Sequence, residues 1–152
     1  MSRPKIPQFK PIGIIHTTLT DEDTAPIQSA RSDLEGFVEI FPEFSAGLDG
    51  IEGFSHIYLI YCFFKAGDES SLLVTPFLDH RKRGVFSTRF PLRPNPIGFS
   101  VVRLIRREEG LLYFKGADML DGTLVLDIKP YLPDFDIFNA ERVGWFNDRS
   151  KP

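Results

Sequence analysis

The apolar residues of this chain come in short runs broken by Gly, Pro and Asp, with no long helical periodicity anywhere. Residues 12–16, 37–41, 56–64, 72–75, 84–88, 97–106, 111–115 and 123–128 read as strands. The intervals between them leave no room for crossover helices, so the sheet is expected to be mainly antiparallel. In 100–105, Val102 and Leu104 are read as the inward set, alternating with Ser100, Val101, Arg103 and Ile105. Arg107-Glu108-Glu109-Gly110 reads as the tight turn of a hairpin. Eight short strands in one small chain predict an all-β fold, a small barrel or a sandwich, with little helix. A turn or two over 46–51 and a weak helix over 136–146 are the helical expectations.

A chain of 152 residues is expected to form a single domain, 1–152, with a core of its own and loose ends over 1–10 and 147–152. One cysteine excludes a disulfide framework and a thiolate-rich metal site, and Cys62 reads as a small buried hydrophobe. The opening MSRPKIPQFKP has no apolar segment of the signal-peptide kind. The longest apolar run, 57–64, is far short of a membrane span. A cytoplasmic, membrane-free protein is the expectation.

Charge is distributed unevenly. Eight of the 18 Lys and Arg fall between His80 and Arg107, where there is no acidic residue. The other 10 face all 21 Asp and Glu, which leaves the remainder near −11. Such a concentration of cations points to an anionic ligand met at one place. The same stretch carries RFPLRPNPIG, in which Pro94, Asn95 and Pro96 stiffen the backbone. Arg89 and Arg93 are thereby offered from a loop with little entropy left to lose, each suited to clamp a carboxylate or phosphate. Gly98 is expected to supply an unusual dihedral or a close backbone approach. A basic, solvated loop is the competing reading, with about even weight.

Asp121-Gly122-Thr123 reads first as a turn entering a strand. Its functional version uses the Gly122 amide and Thr123 hydroxyl as donors and Asp121 as an acceptor. His16, His56 and His80 lack metal-ligand spacing, and no metal is expected. His56 reads as a structural histidine. The polar stretch 17–32 is long enough for a functional loop. Phosphate-loop, dinucleotide, nucleophile-elbow and zinc-protease motifs are all missing.

Together GVFSTRFPLRPNPIGFSVVRL and DGTLVLDIKPYLP, supported by PIGII and IEGFSHIY, resemble the TsaA/TrmO (YaeB-like) family of S-adenosylmethionine-dependent tRNA methyltransferases. The resemblance covers about residues 10–136. It implies a small antiparallel β-barrel, a homodimer, a tRNA partner, and S-adenosylmethionine bound without a dinucleotide fold. In bacterial relatives it implies N6-methylation of threonylcarbamoyladenosine beside the anticodon. Many members carry a further C-terminal domain, so the chain is similar to a short form. Carried over by motif, the cofactor pocket takes Pro26, Ile27 and Gln28, then Phe64 and Lys65, Arg89, and Asp121, Gly122, Thr123 and Leu124. Ile27 stands where the family often has Arg, Phe64-Lys65 where bacterial relatives have a polar pair, and Leu124 where proline is usual.

Methyl transfer needs in-line approach and exclusion of water more than elaborate acid–base groups. The acceptor nitrogen, conjugated to a purine and a carbamoyl group, still gains from a proton acceptor. Asp121, Asp127, Lys129 and Tyr131 are the candidates, and the sequence favours none. Arg93, Asn95 and Tyr131 are expected against the acceptor, with Arg93 or Arg89 on its carboxylate and Tyr131 or Phe90 stacked on the base. Two other classes compete: a non-catalytic S-adenosylmethionine- or nucleotide-binding module, and an RNA-binding β-barrel.

Overall fold

The computed structural model describes residues 2–20, 33–63 and 71–148. Eight strands form: β1 (Gly13–His16), β2 (Glu35–Ile40), β3 (His56–Cys62), β4 (Leu73–Val74), β5 (Arg83–Gly84), β6 (Ile97–Glu108), β7 (Leu111–Lys115) and β8 (Leu124–Pro130). Six of them close a barrel in the order β1-β2-β7-β6-β3-β8, while β4 and β5 pair separately. Every pairing is antiparallel.

Alternation builds the interior. Ile15, Val38, Ile57, Leu59, Val102, Leu112, Phe114 and Val125 point inward and are essentially inaccessible. Full burial of one such side chain is worth about 1.5–3 kcal/mol, and closure leaves the six-stranded sheet no exposed edge. Cys62 ends β3 on the outward set and is only half-buried, so it is not a core residue. The expected hairpin joins β6 to β7, with Glu109 in the left-handed region at φ 54°.

Three expectations need correction. Residues 84–88 are not a strand: β5 stops at Gly84, and Val85–Ser87 forms a 3-10 turn closed by Thr88, whose amide and Oγ1 both donate to the Val85 carbonyl. No helix spans 136–146; instead α1 (Pro133–Asp136) and α2 (Trp145–Asp148) are single turns, because exposed Ile137 and Phe138 have no surface on which to lay an apolar stripe. Ser100 belongs with Val102 and Leu104 on the inward set, as the two-residue period of a strand requires.

One end of the barrel is plugged. The 3-10 helices Pro42–Leu48 and Ile51–Gly53 turn Leu48 into the core and pack Phe44, Ile51 and Phe54 against it. Arg107 ties this plug to β6, donating from Nη1 to the Leu48 carbonyl at 3.3 Å and to Glu52 at 3.0 Å.

Candidate functional site

The opposite end is polar. Here the end of β1, the end of β3, the start of β6 and the segment between β7 and β8 meet. Cys62 is paired with both Ile97 and Leu124, and the Phe63 amide donates to the Pro96 carbonyl at 2.7 Å. The basic loop and the Asp-Gly-Thr turn, 25 positions apart between Pro96 and Asp121, are therefore neighbours.

A chain of hydrogen bonds enters the barrel from this end. Ser100 donates to Asp118 at 2.7 Å, so its oxygen is left to accept from the Tyr61 hydroxyl at 2.9 Å. Burial pushes the Tyr61 phenol well above its ordinary range and the Asp118 charge adds to this, while the Ser100 hydrogen bond and Arg89 oppose it. Tyr61 is thus a neutral donor, and through Ser100 it is linked to the half-buried carboxylate of Asp118. Gly98 makes room for it. A Cβ there would lie 2.5 Å from the Phe63 ring and 2.6 Å from the Tyr61 ring, so the glycine serves close approach and not a special dihedral.

Arg89 lies beside this chain, its guanidinium 4.8 Å from the exposed ring of Phe99. Arg93 does something else. Its Nη1 donates to the carbonyls of Thr88 at 2.9 Å and Phe90 at 3.2 Å, so this nitrogen braces the loop rather than facing a ligand. Asn95 is exposed, and its carbonyl receives the Ile97 amide at 2.7 Å.

On the other side of the opening, Asp121 accepts the Thr17 amide at 3.2 Å and stands 3.8 Å from His16 Nδ1. His16 stacks on Phe37 at 4.7 Å between ring centroids. Its Nε2 is buried with no hydrogen-bond partner among the described residues, Glu39 being 3.8 Å away. The donors expected of the Asp-Gly-Thr turn are committed to the fold. Gly122, at φ 87°, gives its amide to the Ile15 carbonyl, and Thr123 Oγ1 bonds the Leu120 carbonyl at 2.6 Å in a buried position. The segment is the turn into β8, with Leu124 half-buried at the strand's start.

Of the proton-acceptor candidates, Asp121 alone stands at this end. Lys129 is five residues along β8 from its first residue, Leu124, about 17 Å away, and pairs with Asp127 at 3.1 Å on the outer surface. Tyr131 lies near the plugged end, its amide on the His56 carbonyl and its ring edge-on to His56 and Tyr58. His56 is satisfied by Ser55 Oγ at 2.8 Å, as a structural histidine is. Phe90 packs on Phe77 at 5.1 Å. Pro26, Ile27, Gln28, Phe64 and Lys65 lie outside the described residues. Among the described residues no group of three or more His, Cys, Asp or Glu is arranged to hold a metal ion, and no helix is long and apolar enough to cross a membrane.

Sequence reasoning missed Tyr61, Phe99, Ser100, Asp118 and His16. A signal for two of them existed: Ser100 and Tyr61 occupy inward registers of apolar strands, where a polar atom must find a partner.

Most of the chain is similar to proteins of known kind. A probable S-adenosyl-L-methionine-binding protein of Pyrococcus abyssi is 54% identical over 138 residues, 90% of this chain and 74% of its own. An S-adenosyl-L-methionine-binding protein of Archaeoglobus fulgidus is 41% identical, over 86% of this chain and 94% of its own. The mouse tRNA (adenine(37)-N6)-methyltransferase is 37% identical over 93% of this chain, which spans only 34% of that protein. A crystal structure of TrmO superposes with a TM-score of 0.78 at 38% identity, over 92% of this chain and 64% of that one. The model of the tRNA-methyltransferase O N-terminal domain matches residues 14–137, so the barrel with its polar end is a member of that domain family.

Proposed function

We propose that this chain is an S-adenosylmethionine-dependent methyltransferase of tRNA, and that its acceptor is N6-threonylcarbamoyladenosine next to the anticodon. The observation that carries the reading is the gathering of Arg89, Phe99 and Asp121 of the two family motifs with Asp118 and His16 at one barrel end. The names of the archaeal relatives support the cofactor, and the name of the mouse relative supports the adenine acceptor.

The groups at this end suit the cofactor's chemistry. Arg89 offers a guanidinium to a carboxylate, and the exposed Phe99 ring offers an apolar face to a purine. Asp118 supplies negative charge toward an ammonium or sulfonium, and His16 Nε2, without a hydrogen-bond partner among the described residues, is a polar atom that a ligand can meet. Bound there, S-adenosylmethionine supplies an electrophilic methyl group. The residues hold donor and acceptor in line and shed water from the opening. The acceptor nitrogen has to give up its proton to take the methyl group, and in this reading Asp121 would be the carboxylate that accepts it. Gly122, Thr123 and Leu124 hold Asp121 in place by their turn. Pro26, Ile27, Gln28, Phe64 and Lys65 complete the pocket in this reading, while Arg93 and Asn95 shape the loop against the RNA.

A homodimer in the cytoplasm belongs to the same proposal. Phe77, Phe86, Phe135, Ile137 and Phe138 leave extensive apolar surface exposed on one protomer, as a two-fold interface provides. Sedimentation at micromolar concentration is expected to give twice the 17.3 kDa chain mass, and a monomer alone refutes that part.

One observation favours a second reading, a binding module without transfer: the archaeal relatives, one of them matched over 94% of its own length, are named for binding only. Calorimetry in chelator with S-adenosylmethionine, followed by mass spectrometry of tRNA nucleosides after incubation with labelled cofactor, separates the two. Saturable binding with label on the modified adenosine is the expected result. Binding without label supports the module, and no heat at millimolar ligand with folded protein removes both.

A further inference from the structure

The family match ends at residue 137, yet the chain beyond it returns to the motif that carries Arg89. Trp145, the chain's one tryptophan, donates its indole N–H to the Ser87 carbonyl at 2.6 Å, bridging 58 positions of sequence. The Arg83 guanidinium lies over the same ring at 6.0 Å. Arg83 is itself held by Asp79, Nε to Oδ2 at 2.6 Å, and the Asp79 side chain is only 2% exposed.

These contacts bracket one short turn. Val85–Ser87 is the 3-10 turn whose closing residue, Thr88, precedes Arg89 directly. Arg93 Nη1 ties down the carbonyls on either side of Arg89, those of Thr88 and Phe90. Trp145 ties down the carbonyl of Ser87, the residue before Thr88. Arg89 is thus suspended between a brace made by its own loop and a brace made by the tail. Val85 and Thr88 of this turn are buried while Arg89 is exposed, so the ties on the carbonyls around it help to set where its side chain is presented.

We propose that Trp145 is a positioning residue: the tail clasps the basic loop from outside the family domain and presets Arg89 for its ligand. The proposal rests on the reading of Arg89 as a cofactor-binding group. A loop ordered beforehand loses less entropy on binding than one ordered by the ligand. The clasp therefore belongs to affinity and not to the chemical step.

The test uses Trp145→Ala and Trp145→Phe in the full chain, alone and combined with Arg89→Lys. Hydrogen exchange at the Thr88 and Phe90 amides reads the clasp, and calorimetry with S-adenosylmethionine reads its consequence. Trp145→Ala is expected to speed exchange at both amides. It is also expected to weaken cofactor binding roughly threefold to tenfold, the factor corresponding to the net worth of one lost hydrogen bond. Trp145→Phe, which keeps the ring and loses the donor, should fall between. In the Arg89→Lys background the tail substitution should cost little more, because its effect runs through Arg89. Unchanged exchange and affinity in a folded variant overturn the proposal, and so do equal losses in both backgrounds. If the unsubstituted protein binds no S-adenosylmethionine while Trp145→Ala still speeds exchange, the clasp stands and the cofactor reading falls.

Discussion

The two ends of this barrel are made from the same six strands and are chemically opposite. At one, Leu48, Ile51 and Phe54 close the interior with carbon, and the single arginine that reaches in, Arg107, is satisfied by a carbonyl and a carboxylate. At the other, a phenol, a serine hydroxyl and a carboxylate run inward from the opening, and a histidine nitrogen is buried without a partner among the described residues. Polar groups inside a barrel cost desolvation, which only good partners offset. Stability therefore resides at the plugged end and the interior, while the polar end gives up part of it in holding these groups.

That division can be broken first at the plug. Leu48→Ala removes a buried side chain from it and is expected to destabilise by about 2–5 kcal/mol. Chemical denaturation reads the loss, and cofactor affinity per folded molecule should not change. A drop in affinity equal to that of a site variant would show that the ends are not separable.

The hydrogen-bond chain at the polar end offers a sharper comparison within one network. Ser100→Ala strands both the Tyr61 hydroxyl and one Asp118 oxygen, so it should cost about 1–3 kcal/mol. Tyr61→Phe removes only the terminal donor and leaves the Ser100 to Asp118 bond intact, for about 0.5–1.5 kcal/mol. If the two lose equally on denaturation, Ser100 is not the middle of a directed chain.

Arg89 and Arg107 place one arginine at each end. Lysine keeps the charge of either but loses the planar fork. Arg89→Lys is expected to fold normally and to lose methyl transfer roughly tenfold or more, about 1.4 kcal/mol of transition-state stabilisation. Arg107→Lys should leave the rate nearly unchanged. Comparable modest losses at both would mean that a diffuse positive field, and not a clamp, serves the site.

The strands were legible because burial on one face imposes a two-residue period, and the barrel's closed antiparallel order agrees with their spacing. The loop at 83–98 stood out in the sequence as a candidate from its cations and prolines, yet the division of labour within it did not. Arg89 and Arg93 are chemically identical in the sequence, and only the fold shows that Arg93 turns a nitrogen back onto its own loop. The Asp-Gly-Thr segment is the turn into a strand that it first reads as, and the fold shows where its donors go: to the carbonyls that such a turn must itself satisfy. Asp118 lies three residues before Asp121 in a segment without period or motif, and its meaning comes from Ser100 across the opening. Trp145 carried no sequence signal, since nothing local announces that a tail crosses back to position 87.

Acid should separate the two ends last and most gently. Each has a carboxylate held below the ordinary carboxylate range, first of all by an arginine hydrogen bond: Asp79 by Arg83 beside the basic loop, Glu52 by Arg107 at the plug. A depressed folded-state value means that the unfolded chain binds the proton more readily. The stabilisation is therefore complete above about pH 4, where an unfolded carboxyl is ionised, and is lost as pH falls through the depressed value. The sign is shared, but the surroundings are not. Glu52 is 56% exposed and its ion pair is screened by solvent and salt, whereas the Asp79 side chain is covered by its neighbours. Protonating Asp79 releases Arg83, and with it the cation over Trp145. Below about pH 4, tryptophan emission should then shift toward that of a solvated indole while the far-ultraviolet signal of the barrel persists. Asp79→Asn should show the shifted emission already at neutral pH and lose the acid transition, and added salt should leave the unsubstituted transition in place. Emission that stays flat until the whole barrel unfolds would mean that the basic loop and the tail are no separate unit, and that this barrel has one stability and not two.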